Sequence, residues 1–174
     1  MKIRSTLSLL SLSLIALYAW AGGSPEFVKF PAGYGTSFFQ YATMNRTGQP
    51  QLAKMYANAI AVASYRTGKP AAPGSVMVME IYKPKTNTKG QPVTGKDGLF
   101  QPGGLTGVAV MERRSEWDAN YPEDQRAGGW GFAFYNPNGT PKENTLACAQ
   151  CHEPLAQQDH LFSRQNLVGF ISGK

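Results

Sequence analysis

Ser75-Val76-Met77-Val78-Met79-Glu80-Ile81-Tyr82 is the stretch on which the fold turns. It is apolar at successive rather than alternate positions, as a strand must be when both its faces are covered. Residues 105–111 form a second run of this kind. Trp130-Gly131-Phe132-Ala133-Phe134 alternates large aromatic with tiny residues, a strict period of two. One face of that strand is expected in a core. The other, Gly131 and Ala133, is left open to a close approach by something flat or bulky. Gly107 and Ala109 repeat the arrangement, for a flat group or equally for a helix.

Outward from these runs, residues 37–44 and 54–57 are expected as earlier strands. The Ala-rich residues 59–65 predict a short helix ended by Gly68 and Pro70. Residues 83–104 are rich in Lys, Gly, Pro, Thr and Asn and are expected as a long surface loop. Asn136-Pro137-Asn138-Gly139 is a turn, and Asn144 is placed to cap a helix starting near Thr145. Nineteen glycines and twelve prolines argue against a helical bundle, and there is no internal repeat. The expectation is one α+β domain, a mostly antiparallel sheet with a helix at its C-terminal end.

That helix carries Cys148-Ala149-Gln150-Cys151-His152. Two cysteines three apart followed directly by histidine is the attachment signature of a c-type haem. Both thiols add across the porphyrin vinyls, and the adjacent imidazole becomes the proximal iron ligand. These are the only two cysteines in the chain, which implies a single haem c. Zinc would need two further ligands, and His160 is the one other histidine. A thioredoxin-like pair belongs early in a βαβ unit, whereas this one is late.

The N-terminus points the same way. Met1-Lys2-Ile3-Arg4 is a basic start, residues 9–17 form an apolar core too short to span a bilayer, and Ala19-Trp20-Ala21 is a small-x-small cleavage site. Residues 1–21 are therefore expected as a signal peptide and the protein as periplasmic, with no membrane association once the leader is cleaved. Gly23-Ser24-Pro25-Glu26-Phe27 resembles a translated cloning polylinker, so residues 22–27 are set aside as a cloning scar and 28–174 taken as a single haem c domain. The formal charge is +6. Without the leader's Lys2 and Arg4 it is about +4, scattered, with no basic stripe suited to nucleic acid.

The motif's position bears on the iron. Twenty-two residues follow His152 and none is methionine, so a downstream sulfur ligand is excluded. Met77 and Met79 remain upstream, in apolar strands where methionine ordinarily fills core space. His160, eight residues after His152, falls on the same side of the haem. The expectation is a five-coordinate iron with one open face. An acid or base beside that face would let bound substrate lose protons, whereas an apolar cap admits small neutral gases.

Tyr56-Ala57-Asn58, the Gly68-Lys69-Pro70 turn, Pro73-Gly74-Ser75-Val76-Met77-Val78-Met79-Glu80, Gly129-Trp130-Gly131-Phe132 and the late haem motif together resemble the cytochrome P-460 family, which includes the cytochromes c′-β. The resemblance spans roughly residues 35–165. It implies a five-stranded antiparallel sheet with short helices, a homodimer, and His152 as proximal ligand.

Two departures carry the functional expectation. Hydroxylamine-oxidising members have a lysine, cross-linked to the porphyrin, directly before the glutamate of the strand at 76–81; here Met79 precedes Glu80. Their distal glutamate, in the following strand, aligns with Val108, or with Gly107 after a one-residue slip, and Glu112 comes about four residues too late. A distal wall of Met79, Val108 and an aromatic such as Phe39 or Phe132, with Met77 nearby, resembles the gas-binding c′-β branch. That favours binding of nitric oxide or a similar small ligand over hydroxylamine oxidation. Electron transfer with a redox partner is a third reading. Lys54 is a further candidate for reaching the haem edge.

Overall fold

The computed structural model describes residues 23–46, 48–143 and 147–174. The expected leader at 1–21, and Asn144 and Thr145 of the expected capped helix start, lie outside the described residues. Five strands form one antiparallel sheet in chain order, β1 (Phe39–Asn45), β2 (Leu52–Ala57), β3 (Val76–Pro84), β4 (Pro102–Arg113) and β5 (Trp130–Tyr135). The helices are short: α1 (Tyr34–Ser37), α2 (Ala59–Arg66), α3 (Cys148–His152) and α4 (Arg164–Ile171). No helix among the described residues is long and apolar enough to cross a membrane.

Each element has a local cause. Asn58 caps α2 by accepting from the Ala61 amide at 3.0 Å, and the same Oδ1 accepts from Val76 at 3.2 Å. Its Nδ2 donates to the Gly74 carbonyl at 2.8 Å. One side chain thus fixes the end of β2, the start of α2 and the start of β3. The expected loop at 83–104 is shorter at both ends, because β3 runs on to Pro84 and β4 begins at Pro102.

The register sorts every strand residue onto one of two faces, since residues directly opposite each other share a face. The near face, against α2, α3 and α4, carries three rows: Phe39–Ala57–Met77–Met111–Phe132, Ala42–Met55–Met79–Ala109–Phe134, and Met44–Ala53–Ile81–Gly107. The far face carries Tyr56–Val78–Val110–Ala133 and Lys54–Glu80–Val108–Tyr135. β3 is apolar at nearly every position because it supplies both cores.

Strand β5 corrects one expectation. Its small residues do not await a flat ligand. A Cβ on Gly131 would fall 2.6 Å from the Trp117 ring and 2.8 Å from Tyr121, so that face is already covered. Trp130, Phe132 and Phe134 look the other way, toward the helices. On β4 the small residues do sit on the near face, and Gly107 is glycine because the Phe134 ring lies across it, 2.4 Å from where a Cβ would be.

The segment before β1 closes the far face. Val28 is fully buried, Phe27 stacks on Tyr121 with ring centroids 4.7 Å apart, and the Ser24 amide donates to the Phe132 carbonyl at 2.7 Å. Residues 24–27, set aside on sequence grounds, are in contact with the sheet.

Candidate haem site

Helix α3 brings the two thiols and the imidazole together within five residues. Both cysteines are free thiols, Cys148 half-buried against the near-face core and Cys151 exposed. Burial pushes the Cys148 thiol up to about 11, which keeps it protonated and unsuited to thiolate redox chemistry. Among the described residues, no group of three or more His, Cys, Asp or Glu side chains gathers to hold a metal. A cavity of about 620 Å³ lies behind α3, lined by residues including Glu123, Arg126, Gln150 and Glu153, and neither thiol nor His152 borders it.

The imidazole of His152 is held from three sides. Its Nδ1 lies 2.6 Å from the carbonyl oxygen of His160, which can only accept, so Nδ1 carries the proton and Nε2 keeps its lone pair. The ring packs on Phe132 with centroids 4.8 Å apart and meets the edge of Phe162 at 5.0 Å. Burial pushes the His152 pKa down, with the His160 carbonyl partly opposing it. A neutral ring with a free Nε2 is the form that binds a metal.

His160 returns the contact, its Nδ1 lying 3.1 Å from the His152 carbonyl. Asp159 and His160 both sit in the left-handed region, at φ 55° and 58°. The Asp159 carboxylate is buried and meets Arg113 Nη1 at 2.6 Å, the Tyr65 hydroxyl at 2.6 Å and the Ala71 amide at 2.7 Å.

Across the near face of the sheet runs an apolar strip that the helices cover incompletely. Met44, Met79 and Met111 are half-buried against the core, alongside Ala42 and Cys148. Phe162 is 63% exposed. Two thiols one helical turn apart, an imidazole with a free Nε2, and uncovered apolar surface beside them make a donor set that suits a covalently held haem.

The sequence candidates separate. Met77 and Met79 lie on the near face with the motif. Val108 does not: it pairs with Glu80 on the far face, fully buried among Val78, Val110 and Tyr135. The phase of β4 puts Ala109 opposite Met79 instead. Lys54 is also on the far face, opposite Glu80, with its ammonium 5.1 Å from the Tyr82 ring centroid. Phe132 stands beside His152, against the imidazole expected to be the proximal ligand. Phe39 occupies the other end of the Phe132 row, four strand spacings or about 19 Å away, beside Phe170. The two aromatics cannot line one small pocket.

The carboxylates near the sheet are turned away or occupied. Glu112 points to the far face and pairs with Arg114 at 2.7 Å. Glu80 accepts from the hydroxyls of Tyr34, Tyr56 and Tyr82 at 2.8, 2.9 and 2.8 Å. Ala109, marked in the sequence as a small residue open to a flat group, does lie on the near face. Sequence reasoning missed Met111, which strand pairing would have exposed, and the Asp159–Arg113 pair, which left no sequence signal.

Fold and site together define a small α+β domain equipped for a helix-borne haem. The family model described as Cytochrome P460 matches residues 31–163, and the chain belongs to that family, which makes it a haem cytochrome. No curated protein matches the chain.

Proposed function

We propose that the chain is an exported cytochrome that holds one haem c through Cys148 and Cys151, with His152 as the only protein ligand, and binds nitric oxide or a similar small neutral molecule at the open side of the iron. When bound, the haem supplies an iron with one vacant coordination position. His152 would present Nε2 to it, and α3 carries both thiols, one helical turn apart, that would hold the porphyrin. Met79, Ala109 and Met111 then form an apolar wall that excludes water and offers no proton acceptor.

That wall is the observation on which the reading rests. Hydroxylamine must lose protons as it is oxidised, and a positioned base typically contributes about 10²–10⁴ in rate. Glu80 and Glu112 lie on the other side of the sheet, and Met79 stands where cross-linked relatives have lysine. The absence of a carboxylate among the near-face strand residues supports gas binding over hydroxylamine oxidation.

The leader at 1–21 supports a periplasmic location. The exposed Phe39 and Phe170 beside the edge strand β1 offer apolar area to a second copy in a homodimer. Exchange of electrons with a redox partner accompanies the reading, because the iron must be reduced to bind carbon monoxide.

The test is a pair of assays on the haem-loaded protein. Ferrous protein should bind nitric oxide and carbon monoxide reversibly, with no sustained oxidation of hydroxylamine in the presence of an electron acceptor. Turnover of hydroxylamine persisting over many cycles would reject gas binding as the function.

A further inference from the structure

Two consecutive non-glycine residues in the left-handed region are costly and persist only where their surroundings hold them. Main-chain bonds from the Asp159 and His160 amides to the carbonyls of Ala156 and Leu155, at 3.1 and 2.9 Å, hold the turn itself, and its side-chain ties to the rest of the fold converge on one carboxylate. Asp159 is tied to β4 through Arg113, to α2 through Tyr65 and to the segment after α2 through the Ala71 amide. The next residue's carbonyl is the acceptor for His152 Nδ1.

We propose that Asp159, braced by Arg113, positions the His160 carbonyl on His152 and thereby sets how strongly that imidazole donates to the iron. The inference rests on His152 being the proximal ligand. A short Nδ1–H···O bond gives the ring more imidazolate character, which strengthens the iron–histidine bond and favours the oxidised iron. If the Asp159 anchor slackens, the φ values of residues 159 and 160 relax, the carbonyl swings off Nδ1, and both effects weaken together. The His160 side chain does not replace the anchor, because its Nδ1 contact is with the His152 carbonyl and leaves the imidazole of His152 untouched.

The anchor is a positioning device, so its test reads the iron. Asp159→Asn, Arg113→Met and Tyr65→Phe are prepared in the haem-loaded protein. The iron–histidine stretching frequency of the ferrous form and the reduction potential are measured for each. Both Asp159→Asn and Arg113→Met should shift the stretch to lower frequency and the potential upward. Tyr65→Phe should do so less, and Arg113→Lys, which keeps the ion pair, should leave stretch and potential close to the wild-type values.

Should Asp159→Asn fail to fold, Arg113→Met carries the reading, since the Arg113 side chain is one-quarter exposed. Folded, haem-loaded variants with unaltered stretch and potential would overturn the inference, leaving the pair a purely structural brace. A wild-type protein with no iron–histidine stretch would instead reject a five-coordinate iron held by His152, on which the inference rests, so the two failures are distinguishable.

Discussion

Met79 and Ala109 stand directly opposite each other on β3 and β4, on the face of the sheet that meets the haem-motif helix, while Glu80 and Val108 form the adjacent pair on the far face. One residue of phase therefore separates a position on the near face from one buried in the other core. A carboxylate at 109 would enter the apolar wall. A carboxylate at 108 would be sealed among valines.

Comparing Ala109→Glu with Val108→Glu should expose that phase. Val108 is fully buried, and an unpaired charge there is expected to cost upward of about 3 kcal/mol. Ala109 is half-exposed, and Ala109→Glu should fold with haem bound. Thermal melts of the two variants give the order. A more stable Val108→Glu would mean that β4 is displaced by one residue from the register described.

Residue 79 is expected to be the position that separates the two chemistries of the family. Lysine and methionine have similar reach, so Met79→Lys should bring an amine to the near-face strip with little backbone change. Burial favours the neutral, nucleophilic form of such an amine. After peroxide treatment, the ferrous Soret band should move to the red with one added covalent bond. An unchanged spectrum in a folded, haem-loaded variant would place residue 79 away from the porphyrin.

Much of this was legible in the residues themselves. The three core strands announced themselves through β3's double-sided apolar run and β5's strict alternation, and the spacing of Cys148, Cys151 and His152 told that they would share one helix. Which way each strand faced was less accessible. Alternation identifies two faces but does not say which one a distant helix or loop will cover, so the small face of β5 reads as open, while Val108 comes from a family alignment that strand pairing shows to be one residue out of phase with the near face. The Asp159 anchor was not readable at all, because its partners Tyr65, Ala71 and Arg113 come from three separate elements.

The tyrosines around Glu80 predict an alkaline limit to stability. Burial first, and then the hydrogen bond to Glu80, push the Tyr82 phenol up to about 12, and the same causes raise Tyr34 and Tyr56. The folded state thus favours neutral phenols. The stabilisation is complete below the unfolded value near pH 10 and is lost as pH rises through the folded value. Urea midpoints should fall between about pH 10 and 12, and Tyr82→Phe should flatten the fall. A midpoint independent of pH across that window would contradict the cluster.

Ser75 offers a test on stability alone. Its Oγ is buried with no hydrogen-bond partner, a desolvation cost that alanine removes without leaving an appreciable cavity. Ser75→Ala should gain about 1 kcal/mol in denaturant unfolding. A loss of similar size would reveal a partner for the hydroxyl.

The optical spectrum of the dithionite-reduced, haem-loaded protein tests the central claim most directly. A haem held by Cys148 and Cys151, ligated by His152 alone and free of any lysine cross-link should give a high-spin ferrous spectrum with its Soret band where an ordinary five-coordinate c-haem has it. A band far to the red would show a modified porphyrin, and sharp, strong α and β bands would show a sixth ligand; either would contradict the account.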